Sequence, residues 1–215
     1  MSKILCYDIE WKPAKAYVWK MWDENITPDQ LLDPGGLLCF SAVWLDNPKD
    51  VIFYSEWEHG HQTMAEALHA LFEEADAIVT YNGDKYDNRK AFGEFLLAGL
   101  SPPAPITSID LLKTVKKMGF VMNRLAYIGP LLKVGQKIKN AGFLLWKDVM
   151  DGDPKAQNQM KTYCIQDSKL LVQLYNKIKP YISNHPFMGE RQACGACDGK
   201  VLHSRGYRRT KSFKI

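Results

Sequence analysis

The sequence predicts an α/β fold, a mixed β-sheet with helices on both faces. Three features carry that expectation. An apolar, β-like run stands at residues 3–10. Two more, at 37–45 and 51–55, flank an Asn47-Pro48 turn and read as a hairpin. Beyond them, segments of helical period alternate with short β-like runs. A strand, a hairpin and then alternating helix and strand is the order of a layered sheet-and-helix domain.

The elements follow in chain order. ILCYDIEW, residues 4–11, is apolar until Asp8 and Glu10. Residues 12–36 read as irregular, holding Trp19 and Trp22 and ending in a Pro34-Gly35-Gly36 turn. LLCFSAVWL (37–45) and VIFYS (51–55) are the second and third strands. Met64, Ala65, Leu68, Leu71, Phe72 and Ala75 recur at helical spacing, giving a helix over about 61–75. AIVTYNG, 77–83, is a short strand ending in a turn, and a helix follows over about 87–99. After the break at Pro102, Pro103 and Pro105, SIDLL (108–112) is a fifth strand or a strand-to-helix junction. Residues 111–150 read as short helices with glycine breaks. The last helix runs over about 154–178, with Asp153 as N-cap, Pro154 in its first turn and Pro180 as its stop.

Composition narrows the class. Hydrophobic residues make up 46% and charged residues 24%, the balance of an ordinary globular domain. No apolar run is long enough to cross a bilayer, and Lys3 followed by a short β-like run and then acids is not a signal-peptide pattern. A cytoplasmic protein is expected. Five cysteines do not make a disulfide framework; Cys6, Cys39 and Cys164 read as buried thiols.

The chemistry lies in the carboxylates. Asp8 and Glu10 are two apart on a strand, so their side chains share a face. Like charges side by side at the end of a buried strand are costly unless paired, hydrogen-bonded or holding a metal, and a divalent cation makes the arrangement favourable. Asp87 falls at a helix start, just past the carboxyl end of a strand, where ligands of open α/β sheets usually bind. Taken alone, Asp84 or Asp87 reads first as a helix cap. Tyr163 and Asp167 are four apart on the last helix, on the inward stripe continued by Leu170, Leu171, Leu174 and Ile178.

This set resembles the DEDD superfamily of 3′–5′ exonucleases, in its tyrosine (DEDDy) branch. The motifs are Asp8-Ile9-Glu10, then Asn82, Tyr86 and Asp87, then Tyr163 and Asp167; the histidine branch would carry His where Thr162 stands. The likeness is to stand-alone phage and bacterial exonucleases and to polymerase proofreading domains, and covers about residues 1–180. It implies a ribonuclease H-like, mixed five-stranded sheet flanked by helices, over residues 1–182. It implies 3′–5′ hydrolysis of single-stranded DNA with two Mg²⁺ or Mn²⁺ ions, in a bacterial or phage-host cytoplasm. Asp8 would bridge the ions, Glu10 and Asp167 would hold the one that activates water, and Asp87 the other. Tyr163 would orient the water, and Asn82 would contact substrate or the motif turn. Exoribonuclease activity, or an idle nucleic-acid-binding or polymerase-accessory module working beside a DNA polymerase or repair partner, are the alternatives. Membrane association is not expected.

Aromatic residues follow the first motif. Trp11 is a candidate for substrate binding, and Trp11, Tyr17, Trp19 and Trp22 either stack on unpaired bases or pack over the sheet edge; packing is expected for at least two of the four. Lys113, Lys116 and Lys117 read as a phosphate-contacting or a solvated face. Residues 183–215 form a basic tail, expected to be a flexible arm or a partial zinc ribbon. From 190 on it holds seven basic and two acidic side chains, an excess of five that leaves −1 elsewhere in a chain of net charge +4. Cys194 and Cys197 with His203 make three of the four ligands a structural zinc site needs.

Overall fold

The computed structural model describes residues 3–139, 142–183 and 185. A five-stranded sheet organises them, in the order β5-β4-β1-β6-β7. Its strands are β1 (Ile4–Lys12), β4 (Gly36–Trp44), β5 (Val51–Ser55), β6 (Ala77–Thr80) and β7 (Thr107–Asp110). β1 pairs antiparallel with β4 and parallel with β6; β4–β5 is the antiparallel hairpin, and β6–β7 is parallel. The sheet is therefore mixed, as expected, with β1 at its centre. The chain leaves β1 through a short antiparallel ribbon of β2 (Lys15–Ala16) and β3 (Leu31–Asp33) within the stretch expected to be irregular.

Helices cover both faces. On one, α2 (His61–Glu74), entered through a single turn α1 (Glu56–His59), and α3 (Asp87–Leu97) bury Met64, Leu68, Phe72, Ala91 and Phe95 against Leu5, Tyr7 and Ile9. On the other, α4 (Leu111–Lys116), α5 (Leu125–Leu131) and α7 (Pro154–Ile178) bury Leu111, Val115, Ile128, Leu171 and Leu174 against Ile4, Cys6 and Val79. α6 (Phe143–Met150) packs Leu145 and Val149 beside Met160 and Cys164 of α7. Cys6, Cys39 and Cys164 are buried free thiols.

The alternation along β1 positions the acids. Ile4 and Cys6 face α7, while Leu5, Tyr7 and Ile9 face α2 and α3. With a period of two, Asp8 and Glu10 continue the α7 side. The register with β4 slips between Glu10 and Trp11, a bulge that re-aims the side chains at this end of the strand. α7 is seated by a serine clasp. Ser41, opposite Asp8 in the sheet, donates to the Cys164 carbonyl at 2.7 Å, and Ser168 donates to the Ser41 carbonyl at 3.0 Å. Tyr163 and Asp167 each precede a clasped residue by one, so the clasp sets their height over β1.

Candidate active site

Asp8, Glu10 and Asp167 converge, each offering a carboxylate oxygen within 4.8 Å of the others'. β1 supplies two ligands and the facing helix the third. Asp87, at the N-terminus of α3, stands outside that group of three but near enough for its charge to act on Asp8; its carboxylate is hydrogen-bonded to its own backbone amide and to that of Ile9. The turn before it is built for that placement. Asn82 takes a left-handed backbone, φ 73°, and its N–H donates to Asp110 Oδ1 at 2.7 Å. A Cβ at Gly83 would fall 2.2 Å from Thr80 Oγ1, so only glycine passes there. Asp110 also caps α4 through the Leu112 N–H, at 3.0 Å. Its place as the anchor of the second-motif turn was not read from the sequence.

The electrostatics favour a cation. Burial raises the Asp8 pKa, and the charges of Glu10, Asp87 and Asp167 raise it further. Burial likewise, with Asp167 beside it, pushes Glu10 up to about 8, and burial pushes Asp87 up to about 6. Asp167 is 1% exposed, and neither of its oxygens has a hydrogen-bond donor in good alignment. Buried carboxylates crowded together are costly, and a hard divalent cation is a partner that such an all-oxygen set suits. The residues present therefore fit Mg²⁺ or Mn²⁺.

One cation comes from the chain itself. Lys137 Nζ stands 2.6 Å from Asp167 Oδ2 and donates to the Tyr163 hydroxyl at 3.2 Å. Desolvation opposes its charge, but Asp167 and Asp8 outweigh that and raise its pKa. Burial and then Asp167 push the Tyr163 hydroxyl up to about 12, so it is protonated at neutral pH. Lys137 was missed in the sequence because it lies outside any periodic element. Its signal is structural: Gly135 packs against Leu170 and Gln173 of α7, and a Cβ on Gly129 would meet the Gly135 carbonyl at 2.6 Å. Those two glycines bring the segment close enough to α7 for Lys137 to reach Asp167.

Beside Glu10 lies a cavity of about 270 Å³ lined by Trp11, Pro13, Tyr86, Phe143 and Trp146 together with Ile9 and Glu10. Lys90 Nζ sits 3.5 Å from the centroid of the Trp11 ring. The packing expectation is corrected: of the four aromatics only Trp11 packs, partly buried against the core, while Tyr17, Trp19 and Trp22 are 72%, 94% and 78% exposed. Their loop is held by polar bonds instead. Glu24 accepts from the amides of Trp19 and Lys20 and from Gln30 Nε2. Lys113 is exposed and pairs with Asp84, which also accepts from Asn88 and Ser108. Asp84 thus ties α3 to β7 and α4. Cys194, Cys197 and His203 lie outside the described residues, as does nearly all of the 183–215 tail. Among the described residues no helix is long and apolar enough to cross a membrane.

A mixed sheet with acids on its central strand and on the helix crossing it defines an α/β fold with a candidate metal centre. The chain belongs to the RNase H superfamily, whose family model matches residues 32–179. That match includes Asp87, Tyr163 and Asp167, while Asp8 and Glu10 precede it. It agrees with the ribonuclease H-like fold that the DEDD-type motifs implied. Among solved structures, the chain is similar to the family B DNA polymerase of the hyperthermophilic archaeon Pyrobaculum calidifontis, with a TM-score of 0.62 and 13% identity over 84% of this chain. The match spans 25% of the polymerase, and at that identity it shows the fold alone. No curated protein matches the chain.

Proposed function

We propose that this protein is a metal-dependent 3′–5′ exonuclease acting on single-stranded DNA. The observation that carries the reading is the convergence of Asp8 and Glu10 with the buried Asp167, one helical turn from Tyr163. Two divalent cations would supply activation of water and stabilisation of the leaving oxygen. Asp8, Glu10, Asp87 and Asp167 would hold them. Tyr163, protonated at neutral pH, orients the attacking water by hydrogen bond rather than removing its proton. The cavity beside Glu10 receives the 3′-terminal base, with Trp11 and Tyr86 as stacking surfaces. Asn82 acts through the backbone of the turn that presents Asp87. The exposed Tyr17, Trp19 and Trp22 extend the aromatic surface along the incoming strand. The basic side chains within residues 183–215 grip phosphates, with or without zinc on Cys194, Cys197 and His203.

The fold likeness to a DNA polymerase supports DNA over RNA as the substrate and admits a polymerase as a working partner. Matched DNA and RNA oligonucleotides, incubated with Mg²⁺ or with EDTA, test the reading. Mg²⁺-dependent loss of DNA several-fold faster than of RNA is expected. Faster loss of RNA would move the assignment to an exoribonuclease, and binding without loss of either would leave a nucleic-acid-binding module.

A further inference from the structure

We propose that Lys137 is a resident counter-ion of the acidic cluster, pairing with Asp167 in the metal-free protein and giving way when a divalent cation binds. This rests on reading the cluster as a metal site. Asp167 is 1% exposed, and the ammonium 2.6 Å from its Oδ2 is the charge that faces it at contact distance. Lys137 keeps 31% of its side chain exposed, so it has a route out toward solvent, whereas Asp167 on α7 has none. The same ammonium donates to the Tyr163 hydroxyl at 3.2 Å and lies 5.3 Å from that ring's centroid. It therefore bridges the two residues of the third motif. Asp8 and Glu10 on β1 and Asp87 on α3 also feel its charge. A divalent cation held by Asp8, Glu10 and Asp167 would stand within a few ångströms of this ammonium, where like charges repel strongly in a desolvated setting. Both cannot keep the same side of Asp167. Lysine pairing then lowers metal affinity while it keeps the crowded carboxylates folded together.

The test uses the full chain and Mn²⁺ as probe, with free Mn²⁺ read by electron paramagnetic resonance. Lys137→Met should bind Mn²⁺ about tenfold tighter than the unchanged protein, because the competing charge is gone. Lys137→Arg, which keeps that charge, should stay within about threefold of it. Should Lys137→Met not fold, lysine acylation of the unchanged protein read by mass spectrometry decides. Lys137 should become several-fold more reactive as Mg²⁺ saturates, while Lys113, held by Asp84, should not. Equal or weaker Mn²⁺ binding by folded Lys137→Met would overturn the proposal, as would Lys137 reactivity that is constant or falls with Mg²⁺. Failure of every variant to bind Mn²⁺ would overturn it together with the metal reading. Tighter binding by Lys137→Met in a protein that cuts no nucleic acid would support the counter-ion and remove only the nuclease assignment.

Discussion

Glu10→Gln separates the burden this carboxylate places on the metal-free fold from the metal-ligand role proposed for it. Glu10 is 9% exposed, and burial, with Asp167 and Asp87 against it, raises its pKa from 4.5 to about 8. The folded chain thus holds this proton more tightly than the unfolded chain. Its contribution to stability is full below pH 4.5 and is lost as the pH rises through 8. At 1.36 kcal/mol per tenfold change in proton affinity, the rise from 4.5 to 8 sets a ceiling of about 5 kcal/mol. Asp8, Asp87 and Asp167 share the titration, so about half of that is expected to belong to Glu10. Glutamine is neutral throughout and nearly the same shape. In EDTA, urea unfolding at pH 5 should find the two proteins equally stable. At pH 8.5 the variant should be the more stable by about 2 kcal/mol. With Mg²⁺ at pH 8.5 the order should reverse, because only the unchanged protein has the full ligand set. Parallel pH profiles for the two proteins in EDTA would refute the reasoning.

Three further outcomes are expected. Asp8→Ala and Asp167→Ala should abolish cleavage while leaving circular dichroism and most DNA affinity intact; normal turnover by either folded variant would contradict the metal-ligand roles. Tyr163→Phe should slow single-turnover cleavage about ten- to a thousandfold, the range of one oriented hydrogen-bonding group, and an unchanged rate would leave Tyr163 a packing residue against Trp146. Deleting residues 190–215 should weaken binding to long single strands and flatten its salt dependence by about 0.7 for each phosphate no longer neutralised, with short oligonucleotides cut at the same rate; equal losses on both lengths would show that the segment supports the fold.

What the sequence made legible is what periodicity encodes. Ile4, Cys6, Asp8 and Glu10 share a face because strands alternate, and Tyr163 and Asp167 share one because helices turn every 3.6 residues. The hairpin and the final helix, bounded by Asp153, Pro154 and Pro180, carry their own turn and cap signals. Less could be read where side chains meet across long sequence separations. Lys137 reaches Asp167 only because Gly129 and Gly135 permit close backbone approach. The Ser41–Ser168 clasp joins residues 127 apart. Asp110 holds Asn82 through a backbone hydrogen bond that no spacing rule foretells. Packing expected for at least two of Trp11, Tyr17, Trp19 and Trp22 is met by Trp11 alone. Glu24 and Gln30 satisfy the backbone of the loop around Tyr17 and Trp19 from within, leaving those rings outside.

The carboxylates of β1, α3 and α7 are proposed to form a metal-dependent nuclease site acting from the 3′ end. A 5′-labelled single-stranded DNA of about 30 nucleotides, incubated with the protein and Mn²⁺ and sampled over time, tests it most directly. A ladder shortening one nucleotide at a time from the 3′ end, absent with EDTA and absent with Asp8→Ala, is predicted. An intact strand, internal cuts, or release of the labelled 5′ nucleotide first would contradict it.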